Sequence, residues 1–406
     1  MEADVDHAIG EIRRRDGTFL ESQTVGFACR NALVRGYAAH PLFGVWAPEA
    51  IAQRIENGLA ALSDRGVRVA RDSDDHRLIA RLFCDSIVDA VAAAEGRLPL
   101  GDAAPRRPLE SVLLGYDRRS AGGCDYIVSQ RGSRPLLIVN AIGIPLSVWS
   151  RLLGDQDHGF RIIVAESACS DLIAGGMRAS DGLETEVSRL QAVLAAEDAR
   201  GVLVVGWCSG GRVAVELAAR EGERVSDLVL LGASFRGAMA DEPPRTQFEE
   251  DVHAMFSGMG RNAASADFLS KMLVQSQGIA PTATEAAVLF RLPASEDAAA
   301  LTAPFATGEQ LTAYGARIAA DRGHDTTGAL SRVAAPILMI GGADDHVVSN
   351  AATWAVVKAK ARSARAVEVS GAGHYVHDVQ YPYLRMLLED LAAGRPPSLC
   401  ARIAAY

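Results

Sequence analysis

The sequence predicts an α/β protein: a mostly parallel, doubly wound sheet with an inserted helical cap and an N-terminal helical extension. Three observations predict it. Short apolar, β-branched runs alternate with helical stretches from residue 112 to near the C-terminus, the signature of βαβ units. Between Ser234 and Pro336 that rhythm stops, and about a hundred residues carry helical patterning alone, too long for a structureless loop in a compact domain. A tight, glycine-flanked turn inside GVLVVGWCSGGRVAV (201–215) joins the most apolar strand to the helix that follows it.

Residues 1–105 show no strand pattern. Segments 27–40, 48–64 and 74–95 space apolar residues helically, as in Ile51, Ile55, Leu59 and Leu62 or Leu78, Leu82, Ile87 and Val91. They form the predicted extension, and the proline- and glycine-bearing stretch 98–108 is its linker. Strands follow at 112–116, 126–129, 136–141, 161–165, 202–205, 228–231, 337–340 and 366–369. Helices fall at 146–153, 183–197, 212–220, 350–361 and 383–391. The first two strands have little helix between them, which predicts an antiparallel start. The core is therefore 106–235 with 335–406, and 236–334 is the cap, with helices at 248–256, 267–277, 284–290 and 310–320. Phe248, Met255, Phe256 and Phe290 are candidates there to line an acyl pocket or to form the cap's own core.

Composition narrows the function. The chain has 406 residues, 49% hydrophobic and 22% charged, an ordinary soluble balance. Its six cysteines, at 29, 84, 124, 169, 208 and 400, have neither CxxC nor Cys/His ligand spacing, so neither zinc nor a disulfide framework is expected. No apolar run approaches the roughly 20 residues of a membrane span, and the charged N-terminus is not a signal segment. A reducing cytoplasm is the expected location. A net charge of −9 argues against nucleic acid, and the one basic triplet, Arg13–Arg15, reads as a solvated helix face.

The turn within 201–215 carries the chemistry. Four apolar residues, Val202 to Val205, read as a buried parallel strand. Gly206 and Gly210 flank Cys208 at Gly-x-Nu-x-Gly spacing, the nucleophile elbow in which a strained central residue tolerates only small neighbours. Ser209 is out of register, because Trp207 would stand where that register needs a small residue. Cys208 is thus the candidate nucleophile.

A thiol nucleophile needs a base, and the base needs an orienting acid. In this chain order the histidine follows the last strand. His374 does so directly after Gly371–Ala372–Gly373, with His377 as its rival three residues on. The strand at 228–231 is followed by no carboxylate, whereas 337–340 is followed by GGADDHVVS. Counting from Gly342 selects Asp345 as the acid; counting from Gly341 selects Asp344. For the oxyanion, one backbone N–H comes from Ser209 at the helix start and a second from Ala141 or Ile142 in the loop after the strand at 136–141. No cofactor or metal is called for.

Together these motifs, over residues 110–393, resemble the α/β-hydrolase superfamily. Three departures stand out: cysteine in place of serine, Asn140-Ala141 where His-Gly is usual, and the long N-terminal region. Within the superfamily, LLIVNAIGIPLSVW (137–149 with its preceding residue 136), GWCSGG (206–211) and GAGHYVHD (371–378) look most like cysteine-type acyltransferases of nonribosomal peptide pathways. That resemblance implies thioester exchange on Cys208, with acyl or peptidyl carrier proteins as partners. Dienelactone hydrolases and polyhydroxyalkanoate synthases share the Gly-x-Cys-x-Gly-Gly elbow, so a cysteine-dependent hydrolase is the alternative.

Overall fold

The computed structural model describes residues 107–155, 158–178, 182–235, 303–342, 345, 347–369, 373–379, 381–394 and 402–403, with parts of 57–64, 245–250 and 266–271. The expected helices at 27–40, 74–95 and 284–290, most of 248–256 and 267–277, and Asp344 lie outside the described residues. The chain divides into two units. One comprises Met1–Ala103, Val367–Ser370 and Met386–Ala405; the other Ala104–Ala366, Gly371–Arg385 and Tyr406.

The second unit is built on strands in the order β1-β2-β4-β3-β5-β6-β7, with the first three residues of β8. The strands are β1 Tyr116–Ala121, β2 Cys124–Ser129, β3 Arg134–Val139, β4 Phe160–Ala165, β5 Val202–Trp207, β6 Val225–Leu231, β7 Ile337–Gly342 and β8 Ala364–Val369. The pairs β1–β2 and β2–β4 are antiparallel, and β3–β4, β3–β5, β5–β6 and β6–β7 are parallel. The expected antiparallel start and parallel body are both present. All six residues of β5 are buried, as its continuous apolar run requires of a central strand. Each fully buried Val or Leu there contributes about 1.5–3 kcal/mol.

One expected strand is displaced along the chain. Of residues 112–116, Val112 and Leu113 end α1 (Leu109–Leu113), Leu114 and Gly115 form a turn, and β1 starts only at Tyr116. Pro108 stands at the N-cap, where its fixed φ and missing N–H cost nothing. β1 itself reads YDRRSA, mostly exposed, with Arg119 paired to Asp117 and Glu197. A polar edge strand of this kind has no apolar alternation to betray it.

The connecting helices are α2 Ser150–Gly154, entered through the 3₁₀ turn Leu146–Trp149, then α3 Leu183–Ala196 and α4 Gly210–Glu221. Within the segment expected as the cap lie α5 Gly308–Gly323 and α6 Thr326–Leu330, and α7 Asn350–Lys360 follows β7. Last are α8 Val376–Val379 and α9 Tyr381–Ala392. The helix start expected at 212 lies two residues earlier, immediately after the elbow. α5 is pinned to its neighbours by buried charge. Arg317 pairs with Asp321 (2.8 Å) and with Glu186 of α3 (3.1 Å), and Arg212 of α4 donates to the Asp321 carbonyl. Removing one partner from such a buried network costs about 3–5 kcal/mol.

In the first unit, described residues within 57–64 are helical, and Val367 and Glu368 pair antiparallel with Ile403 and Arg402. Among the described residues no helix is long and apolar enough to cross a membrane.

Candidate active site

Cys208 sits between β5 and α4 with φ of +51°, in the left-handed region that side chains other than glycine rarely adopt. Such a conformation costs on the order of 1–3 kcal/mol. It is held by Cys208 N–H donating to the Leu231 carbonyl (2.9 Å) and Gly211 N–H donating to the Cys208 carbonyl (3.0 Å). The flanking glycines are steric necessities. A Cβ at Gly206 would lie 2.6 Å from that of Ala214, and one at Gly210 2.3 Å from the Val139 carbonyl oxygen. Cys208 is half-buried, unlike the enclosed Cys124 and Cys169, whose thiols burial pushes up to about 11. Of these three thiols Cys208 is the accessible one.

His374 lies close enough to Cys208 for the charge of the sulfur to act on its ring. Its Nδ1 lies 3.0 Å from Asp345 Oδ2, which leaves the other ring nitrogen to the thiol. Burial by itself pushes the imidazolium pKa down. The Asp345 carboxylate and the Cys208 sulfur outweigh burial and hold the ring well above the ordinary histidine value. Tyr375 packs against the same group; burial first, then the charges of Cys208 and Asp345, raise its phenol.

Asp345 is held by its own loop, its Oδ1 accepting from Val347 N–H (2.8 Å) and Val348 N–H (2.9 Å). That loop is in turn stapled to the inserted segment. Thr246 Oγ1 donates to the Val347 carbonyl (2.9 Å), and Ser349 N–H donates to Glu249 Oε2 (3.0 Å). Glu249 also accepts from Ser234 in the exit of β6 (2.5 Å). His377, the rival histidine, lies in α8 and stacks on Trp149 at 4.3 Å with Trp207 at 4.4 Å. The Trp207 indole N–H donates to the His374 carbonyl (3.3 Å).

The loop after β3 arranges the two candidate oxyanion donors differently. Asn140 Oδ1 accepts from Ala141 N–H (2.9 Å) and from the Trp149 indole (2.8 Å), and its amide donates to the Ile144 carbonyl (2.7 Å). Ala141 N–H is therefore consumed inside its own loop. Ile142 N–H instead points across to the elbow and donates to Ser209 Oγ (2.9 Å). Among the described residues Ser209 N–H has no acceptor. Among them, too, no group of three or more His, Cys, Asp or Glu side chains is placed to hold a metal ion.

Sequence reasoning missed Asn140 as the organiser of this loop, although its place in the usual histidine position was a signal. It also missed Glu249 and Gly232, whose contacts join segments far apart in the chain.

Residues 187–381 match the family model described as the α/β hydrolase fold. No curated protein sequence matches the chain. Solved structures do. A mutant haloalkane dehalogenase from Agrobacterium tumefaciens has a TM-score of 0.54 at 15% identity, covering 70% of this chain and 100% of its own. An esterase from Exiguobacterium antarcticum scores 0.50 at 16%, covering 68% and 98%. A bacterial membrane phospholipase A scores 0.50 at 18%, covering 77% and 98%. Identities this low speak to architecture alone. Sheet order, a cysteine elbow with positive φ, the family match and these neighbours converge, and the chain has the α/β-hydrolase fold.

Proposed function

We propose that this protein is an acyltransferase that takes an acyl or aminoacyl group from a carrier-protein thioester onto Cys208 and passes it to a second pantetheine thiol. The observation that carries the reading is Cys208 at a positive-φ elbow beside His374, whose ring lies 3.0 Å from the Asp345 carboxylate. In this role His374 holds the proton of Cys208, and Asp345 stabilises the imidazolium.

The Cys208 thiolate attacks the thioester carbonyl. A carbon–sulfur bond forms, and the carbonyl π pair moves onto oxygen, where Ser209 N–H and the Ile142 side of the hole receive it. Collapse of the intermediate breaks the bond to the donor's sulfur, which leaves with the proton held by His374. An acceptor thiol then gives its proton to His374, attacks the Cys208 thioester and regenerates the thiolate. Kinetics of this form are ping-pong. A thioester favours thiols and amines over water far more than an oxygen ester does, and exchange between thioesters is near thermoneutral, so cysteine suits a shuttle. No resident cofactor enters the scheme. The N-terminal region fits a substrate delivered by a protein, and a free thiol suits a reducing, cytoplasmic setting.

The second reading is a cysteine-dependent hydrolase acting on a thioester or lactone. The hydrolase fold family and the esterase among the neighbours favour it. Intact-mass measurement after incubation with acyl-loaded carrier protein separates the two. A shuttle shows a Cys208 acyl adduct that persists in water and discharges when a carrier with a free pantetheine thiol is added. Cys208→Ala shows no adduct, and Cys208→Ser loads but transfers poorly. Rapid release of free acid with or without the acceptor favours the hydrolase.

A further inference from the structure

The Ser209 side chain makes a bond that its position in the helix does not explain. Ser209 is the N-cap of α4, where a serine hydroxyl ordinarily accepts from a backbone N–H two or three residues on. It makes no such bond here. The first-turn N–H groups go to backbone instead, Gly211 to the Cys208 carbonyl (3.0 Å) and Arg212 to the Ser209 carbonyl (3.3 Å). The hydroxyl turns across to the loop after β3 and accepts from Ile142 N–H at 2.9 Å. Its own hydrogen has no acceptor among the described residues.

We propose that the Ser209 hydroxyl is itself an oxyanion donor, so that Ile142 acts through it and not directly. The proposal rests on Cys208 being the nucleophile. Ser209 is covalently next to Cys208, so its N–H and its O–H leave the same residue beside the carbonyl under attack. An N–H donated to a hydroxyl oxygen polarises it and strengthens the bond its hydrogen makes. A bond from that hydrogen to an oxyanion is charge-assisted, roughly twice as strong as a neutral one. Asn140 supports the arrangement by occupying Ala141 N–H, which leaves Ile142 as the loop N–H directed at the elbow. In effect the chain from Ile142 N–H through Ser209 Oγ–H to the oxyanion replaces the direct second donor.

The test compares two reactions of Cys208 in the full-length protein. Acylation by 4-nitrophenyl acetate passes through a tetrahedral oxyanion; alkylation by iodoacetamide displaces iodide and forms no oxyanion. Both adducts are located by mass spectrometry. Ser209→Ala should slow acylation about 10- to 100-fold, in the range for loss of one oxyanion-hole donor, while alkylation stays within about twofold of wild type. Ser209→Thr, which keeps a hydroxyl, should recover most of the acylation rate. An alanine variant that acylates as fast as wild type, or faster, overturns the proposal: the hydroxyl would then merely occupy Ile142 N–H until substrate displaces it. Equal slowing of both reactions also overturns it, by assigning Ser209 to the helix start or to thiolate formation. Wild-type protein that gives neither adduct at Cys208 removes the nucleophile reading itself, an outcome visible before any variant is made.

Discussion

Gly232 lies directly against the His374 ring: a Cβ built there would be 3.1 Å from both Nδ1 and Cε1 and 3.6 Å from Asp345 Oδ2. Its φ of +50° and its N–H bond to the Ile340 carbonyl (2.8 Å) fix it at the exit of β6. The strand end that carries no carboxylate thus provides the clearance in which the histidine and its acid meet.

Gly232→Ala should therefore act on the site and on stability together. The left-handed backbone alone costs about 1–2 kcal/mol for a residue with a Cβ, read as a lower midpoint in denaturant. Acyl loading of Cys208 should fall at least tenfold because the ring must move. Wild-type loading in a folded alanine variant would show that the ring has room to spare.

The Asp345 carboxylate and the Cys208 sulfur, against the opposing effect of burial, hold His374 above the ordinary value of about 6.5. Removing a group that raises a pKa lowers it, so Asp345→Asn should shift the His374 ring titration to lower pH. Cys208→Ala should shift it the same way. Ring-labelled NMR across pH 5 to 9 reads the midpoint, and loading should fall at the pH where the asparagine variant loses its ring proton. An unmoved midpoint in Asp345→Asn would transfer the acid's role to another carboxylate, Asp344 first.

Glu249 ties the inserted segment to the acid loop through Ser349 N–H and to β6 through Ser234. Arg245 Nη1, 3.4 Å away and equally buried, is its ionic partner. Glu249→Ala removes the carboxylate that Arg245, Ser234 and Ser349 share, so stability should fall by about 3 kcal/mol in chemical denaturation. At temperatures where the variant is folded, the His374 titration should also move down, because the Asp345 loop loosens. A normal titration with reduced stability would make Glu249 a structural staple only.

How much of this was legible depends on the range of the interaction that carries it. The order of strands and helices, the cysteine elbow and the order nucleophile, acid, histidine are written in local patterns. An apolar run must be buried, and a residue at positive φ demands small neighbours, so Val202–Val205 and the glycines around Cys208 are readable without coordinates. The polar edge strand β1 has no such pattern, and the expected strand at 112–116 reaches only its first residue. Two adjacent aspartates in one loop are equivalent to a pattern; Asp345 reaches His374 because Val347 and Val348 N–H groups orient its carboxylate. The oxyanion side lay furthest from view. Ala141 and Ile142 are neighbours with similar backbone, and the difference between them is made by Asn140 on one and by Ser209, 67 residues away, on the other. Sequence alone singled out Cys208, His374 and the Asp344–Asp345 pair as candidates, because backbone sterics and burial are local; tertiary structure decided which donor meets which acceptor, because a hydrogen bond exists only once folding has brought both ends within about 3 Å.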